Sequence, residues 1–276
     1  MAGKRVAVVT GANKGIGLAI VQSLAKSFNG TVYLTSRDQQ RGLDACKQVQ
    51  EQTGRQVEYH PLDIESFKSI MEFKEQMMMK HNGLDVLVNN AGVKMKDYSM
   101  PAVTRAKITM STNYFGTLNL SNAVLPLIKP QGRVVNVAGF VAQTALKACS
   151  KELQQEFRSE DITVEQLTSR MHDYIDCSVA GNYKEVGFPE DDAYSVSKIG
   201  VAVMSMIQAR KMKAEGREDV LVNACCPGWC RTDMAGEKAL KSAEEGAVTP
   251  DYLVNLPPGA TEPSGKFISN KRVARW

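Results

Sequence analysis

The feature that most constrains this chain is the alternation of short β-branched runs with longer runs of helical period. Strand-like segments stand at Val6–Val9, Val32–Thr35, Val57–His60, Val86–Val88, Val134–Val137, Leu221–Ala224 and, more weakly, Lys266–Ile268. Helical patterns lie between them at about 15–28, 38–52, 65–80, 103–128 and 192–214. Strand, helix, strand in this order calls for parallel crossovers, hence an α/β doubly wound parallel sheet of the Rossmann type with about seven strands. The strands are apolar nearly throughout, as strands covered on both faces by helices must be. A length of 276 residues suits one domain of this class, spanning 1–276, better than two.

The alternation breaks once, at about 140–190. Lys151–Arg158 reads as a short helix, and Thr163-Val164-Glu165-Gln166 as a capping box opening another, with Leu167, Met171, Tyr174 and Ile175 on one stripe. This is a helical insertion into the single domain, too small to carry a core of its own. The stretch 249–265, with Pro250, Pro257, Pro258 and Pro263, reads as a loop-rich C-terminal region.

Composition excludes several classes. At 43% apolar and 23% charged the chain can bury a sizeable core, and a net charge of +4 from 34 basic and 30 acidic residues, dispersed along the chain, is no nucleic-acid footprint. No stretch approaches the length of a membrane span, and no secretory signal opens the chain, so a cytoplasmic protein is expected, its six cysteines as thiols. No zinc-like spacing of Cys or His occurs, and no metal is expected.

The first strand runs into Thr10-Gly11-Ala12-Asn13-Lys14-Gly15-Ile16-Gly17 directly before a helix. Glycines there permit a tight turn, close approach of backbone N–H groups to a pyrophosphate, and close helix packing. The second strand ends Thr35-Ser36-Arg37-Asp38, where an NAD site would offer a carboxylate to the ribose. Arg37, with Arg41 one turn on and Lys14 in the glycine turn, favours NADP(H) through its 2′-phosphate; Asp38 reads as a helix cap. Asp63 follows the third strand and Asn89-Asn90-Ala91-Gly92 the fourth, at carboxyl strand ends where such sheets bind ligands. Asn89 or Asn90 can hold adjacent strands by bonding local backbone. Tyr194 and Lys198 stand four residues apart on one helical face, where an ammonium lowers the pKa of a phenol toward that of a general acid/base.

Thr10–Gly17, Asn89–Gly92, Asn113, Tyr194 with Lys198, and Pro227-Gly228 together resemble the short-chain dehydrogenase/reductase family over essentially the whole chain. Leu84–Gly92, Leu127–Val137 and Asn223–Gly236 are similar to its animal NADPH carbonyl reductase subgroup, as is the insertion before Tyr194. The resemblance implies an NADPH-dependent reductase of ketones, aldehydes or quinones. Tyr194 would protonate the carbonyl oxygen, Lys198 would tune Tyr194 and hold the nicotinamide ribose, and Asn113 would anchor a water connecting Lys198 to solvent. Cofactor contacts would come from Gly11, Asn13, Lys14, Gly15, Ile16, Gly17, Arg37, Arg41, Asp63, Ile64, Asn90, Ala91, Gly92, Tyr194 and Lys198. Pro227, Gly228, Cys230, Arg231 and Thr232 would form a loop over the nicotinamide and pyrophosphate. The insertion, laid over helices that usually pair between subunits, implies a monomer.

One departure bears on activity. Where the family carries a pattern like Asn-Val-Ser-Ser with a catalytic serine, this chain reads Asn136-Val137-Ala138-Gly139. Losing one oxyanion donor costs roughly 10²–10³ in kcat. The alternatives are a reductase of reduced activity, or a catalytically disabled NADP(H)-binding sensor or interaction protein. Gly139, Phe140, Trp229 and Met234 are candidate substrate-pocket residues. Cys226 is either a buried packing thiol or a reactive one. Lys94 and Lys96 read either as a solvated rim or as holders of an anionic substrate such as a glutathione conjugate. Met77-Met78-Met79 reads as helix packing.

Overall fold

A computed structural model describes residues 4–276. The order of elements is β1 (Arg5–Val9), α1 (Gly15–Ser27), β2 (Gly30–Ser36), α2 (Gln39–Thr53), β3 (Glu58–Pro61), α3 (Phe67–His81), β4 (Leu84–Asn89), α4 (Ala102–Met110), α5 (Thr117–Val124) and β5 (Ile128–Val137). There follow α6 (Phe140–Ala148), α7 (Lys151–Arg158), α8 (Val164–Ala180), α9 (Tyr183–Val186), α10 (Ala193–Ala214), β6 (Leu221–Cys226), α11 (Ala243–Val254), β7 (Phe267–Ser269) and β8 (Arg272–Val273). All strands join one sheet in the order β3-β2-β1-β4-β5-β6-β7-β8, parallel except for β8, a two-residue antiparallel edge that the period-2 pattern is too short to reveal. Strand order reverses between β1 and β4, and the crevice at their carboxyl ends is where doubly wound sheets take ligands.

The strand cores are buried on both faces: Val6 and Val8 pack with Phe73 and Leu87 on one side, Ala7 and Val9 with Ile20 and Leu24 on the other. Asp38 caps α2 by accepting from the Arg41 N–H at 2.9 Å, and Thr163 with Gln166 forms the capping box of α8, both as read from the sequence. Apolar residues of α7 and α8, among them Leu153, Phe157, Leu167, Met171 and Tyr174, share a core with Met110, Tyr114, Val196, Ile199 and Val203. The insertion therefore covers the outer faces of α4 and α10, which explains why α10 is buried nearly all round.

Two readings of the sequence are corrected. The start of the 249–265 stretch is the end of α11, not loop: Ser242 and Glu245 form a capping box, and Ala247, Leu253 and Val254 bury against the α1 side of the core. That burial outweighs the backbone bond which Pro250 cannot donate. The single helical run expected over 103–128 is interrupted, with a π-helical turn at Ser111–Gly116 between α4 and α5 and a short 3-10 turn at Leu125–Leu127. Such π turns collect at functional positions, and this one carries Asn113.

Candidate active site

The carboxyl ends of β1, β2 and β4 open into a groove of about 860 Å³. Its floor is the glycine turn. Gly11 and Gly15 hold φ of +59° and +58°, and a Cβ at Gly11 would lie 2.8 Å from the Ala91 Cα, so these positions accept only glycine without displacement. A Cβ on Gly17 would meet the Asn90 amide at 2.4 Å. Asn90 holds the turn in place by donating to the carbonyls of Thr10 and Gly11 at 2.9 and 3.1 Å, while the Thr10 hydroxyl accepts from the N–H groups of Asn90 and Ala91. Asn13, Lys14 and Ile16 line the same groove, as do Asp63, Ile64, Gly92, Thr232 and Met234.

The three cations expected to hold a 2′-phosphate all line the groove, and each faces a carboxylate. Arg37 lies 3.5 Å from Glu65, Arg41 3.4 Å from Asp38, and Lys14 2.7 Å from Asp233. Lys14 also holds the exposed Asp233 carboxyl below the usual range, and Lys96 donates to the Asp233 carbonyl at 3.0 Å. Exposed pairs of this kind contribute only about 0–1 kcal/mol, whereas a phosphate takes charge-assisted bonds from guanidinium, so exchange of partners is favourable. The glycine turn and this cation set fit a dinucleotide carrying a 2′-phosphate.

Beyond the inner end of the groove stands the Tyr194 and Lys198 pair at the start of α10. Lys198 is fully buried, and its Nζ donates to the Val137 carbonyl at 2.9 Å and stands 5.8 Å from the centre of the Tyr194 ring. Burial pushes Lys198 down to about 8 and Tyr194 up to about 12, the latter helped by neighbouring Cys226 and Asp192. The expected Lys-activated phenol is therefore not what this state shows: the ammonium bonds backbone and burial governs the phenol. A Cβ on Gly92 would lie 3.1 Å from the Asn113 Oδ1 and 3.4 Å from the Lys198 Nζ, so glycine is what allows the three to meet. Asn113 accepts from the Val93 N–H at 2.7 Å and donates to the Val93 carbonyl and the Ser197 hydroxyl, both at 2.9 Å. Both amide hydrogens are thus committed.

An alkaline limb in kcat/KM near pH 8 is expected. Lys198 sits below its ordinary 10.5, so it loses its charge as pH rises through about 8, and kcat/KM reports groups of the free enzyme. A profile that stays flat to about pH 9.5 would contradict this assignment.

The loop after β6 is placed less directly than expected. Pro227, Gly228 and Cys230 do not line the groove: Gly228, at φ +92°, backs onto Lys241, and the buried Cys230 thiol donates to the Pro227 carbonyl at 3.4 Å. Arg231 lines the groove but spends its guanidinium on the carbonyls of Ala239 and Leu240. Phe140 and Trp229 are each nearly half exposed, at 45% and 43%, and of the expected substrate-pocket residues Met234 alone lines the groove. All six cysteines are unpaired, and Cys226 is buried with its sulfur accepting from the Gly228 N–H at 3.3 Å.

Gly139 holds φ +114° and ψ 154°, a region open essentially to glycine alone. It caps α6 without a side-chain bond. Among the described residues, the Thr144 hydroxyl donates to the Phe140 carbonyl and the Ser197 hydroxyl to the Tyr194 carbonyl.

Sequence reasoning passed over the buried amide chain that sets α10 against the sheet. Asn89 donates to Asn136 Oδ1 at 2.7 Å and to Ser121, and Asn136 donates to Ser205 and Gln208 on α10. The signal was available in Asn136, a lone amide among the valines of β5.

A family model described as short chain dehydrogenase matches residues 5–169 and 176–243. The chain is 52% identical over 273 residues to carbonyl reductase (NADPH) 1 of Rattus norvegicus, covering 98% of each chain. It is 51% identical over 276 residues to the Homo sapiens protein of that name, covering 99% of each. Among solved structures, salutaridine reductase from Papaver somniferum superposes with a TM-score of 0.84 at 26% identity, covering 96% of this chain and 99% of that one. Motifs, sheet order and these likenesses agree, and the chain belongs to the short-chain dehydrogenase/reductase family.

Proposed function

We propose that this protein is an NADPH-dependent carbonyl reductase acting on small ketones, aldehydes or quinones. The observation that carries the reading is the approach of Lys198 and Asn113 to Gly92, with the Lys198 ammonium 5.8 Å from the centre of the Tyr194 ring, next to a groove that Lys14, Arg37 and Arg41 line. The cofactor, when bound, supplies the hydride. The glycine turn would face its pyrophosphate, and Arg37, Arg41 and Lys14 its 2′-phosphate. Tyr194, protonated through neutral pH by its burial, would give its proton to the carbonyl oxygen. Lys198 would hold a positive charge beside that phenol and bond the ribose in exchange for the Val137 carbonyl. Phe140, Trp229 and Met234 would offer apolar surface to the substrate, which suits uncharged ketones and quinones better than glutathione conjugates. With α4 and α10 covered by the insertion, a monomer is the expected state.

Gly139 favors a second reading, an NADP(H)-binding protein without turnover that serves sensing or interaction, since nothing in the cofactor groove depends on position 139. Steady-state NADPH oxidation over a panel of diketones and quinones, beside a Tyr194→Phe variant, separates the two. Rates above the variant support the reductase; rates equal to it leave the cofactor-binding role.

Restoring the serine is not a simple repair. Gly139→Ser places a side chain at φ +114°, and although the space is open, with only Val141 at 3.7 Å, the backbone strain costs about 1–3 kcal/mol. A fall in Tm of about 2–10 °C is expected, with a gain in kcat well short of the roughly 10²-fold that a placed donor brings. A gain of that size at unchanged Tm would show the backbone free to relax.

A further inference from the structure

The groove carries six basic side chains, and five of them are committed to protein acceptors: Lys14, Arg37 and Arg41 to carboxylates, Lys96 and Arg231 to carbonyls. Lys94 is the sixth. Among the described residues it has neither an ion pair nor a hydrogen bond, and its Nζ stands 5.4 Å from the centre of the Tyr194 ring. Tyr194 thus lies near two ammonium groups, the buried one of Lys198 and the exposed one of Lys94. Burial, then Cys226 and Asp192, oppose ionisation of the phenol.

Reduction of a carbonyl places negative charge on its oxygen as hydride reaches the carbon. One donor to that oxygen is the Tyr194 hydroxyl. A second donor adds to the stabilisation of that charge, Gly139 offers no side chain for it, and among the described residues the hydroxyls of Thr144 and Ser197 donate to the Phe140 and Tyr194 carbonyls. We propose that Lys94 is that second donor, its ammonium taking on the carbonyl oxygen the position that a serine hydroxyl would hold. The inference rests on the reading of Tyr194 as proton donor. An oxygen accepting from Tyr194 lies about 2.7 Å beyond the phenolic oxygen, and the exposed Lys94 stem has the rotational freedom to bring Nζ to it. Hydride adds to carbon, the C=O π pair passes to oxygen, the Tyr194 proton completes the hydroxyl, and Lys94 keeps its protons throughout.

The test compares Lys94→Met, Lys94→Arg and Tyr194→Phe with the parent on an uncharged diketone, with NADPH affinity followed by nicotinamide fluorescence. Lys94→Met should lower kcat/KM about 10–100-fold, mostly in kcat, below the full range for a rigid oxyanion donor because Lys94 is mobile. Its NADPH affinity should fall far less than kcat, and Lys94→Arg should recover most of the loss. The alkaline limb should move to higher pH in Lys94→Met, because removing a cation raises the pKa of both Tyr194 and Lys198. Full activity in Lys94→Met with Tyr194→Phe inactive overturns the role of Lys94 alone. Full activity in Tyr194→Phe overturns the proton-donor reading and this inference with it, and so does a parent without turnover above Tyr194→Phe.

Discussion

Tyr194→Phe is expected to lower kcat by about 10²–10⁴-fold, the range for removing a positioned general acid. The substitution deletes a single oxygen. The ring remains between its neighbours on α10, and no groove residue bonds the phenol, so NADPH affinity should hold within about twofold. The result that matters is the split: kcat falls while cofactor binding does not. Equal losses in both would indicate that the ring holds up the groove rather than delivering a proton.

The second large effect concerns cofactor choice. Arg37 directly follows β2 and lies 3.5 Å from Glu65, whose carboxylate also accepts from Thr112. Arg37→Asp would set a second carboxylate beside Glu65, removing one phosphate-binding cation and repelling the 2′-phosphate. A loss of about 100-fold in NADPH affinity is expected, roughly 2.7 kcal/mol, with NADH unchanged or improved because a carboxylate there accepts ribose hydroxyls. Titration of both nucleotides at one fixed ionic strength measures it, since exposed charges are screened by salt. An unchanged preference would remove Arg37 from the 2′-phosphate site.

The parallel sheet was legible because strands buried on both faces must be apolar, as Val86-Leu87-Val88 and Val134-Val135 are. The glycine turn and the Tyr194 and Lys198 spacing were legible because they are local. What escaped depends on contacts distant in the chain. Pro250 sits in a helix because α11 docks on the α1 side of the core, a packing gain invisible in the segment itself. The π turn carries Asn113, which bonds the backbone of Val93, twenty positions away. Spacing placed Lys198 beside Tyr194 but could not show that its ammonium turns to the Val137 carbonyl, a choice set by burial. The backbone angle at Gly139 was equally hidden, since glycine in a sequence records freedom without saying how it is used.

That angle makes the change at 139 one-directional. A serine lost while the backbone kept its shape could return by a single substitution. Here position 139 holds a conformation reserved for glycine, so any side chain introduced there meets a backbone cost that glycine does not. A donor for the substrate oxygen is then added more cheaply from another part of the site than from position 139.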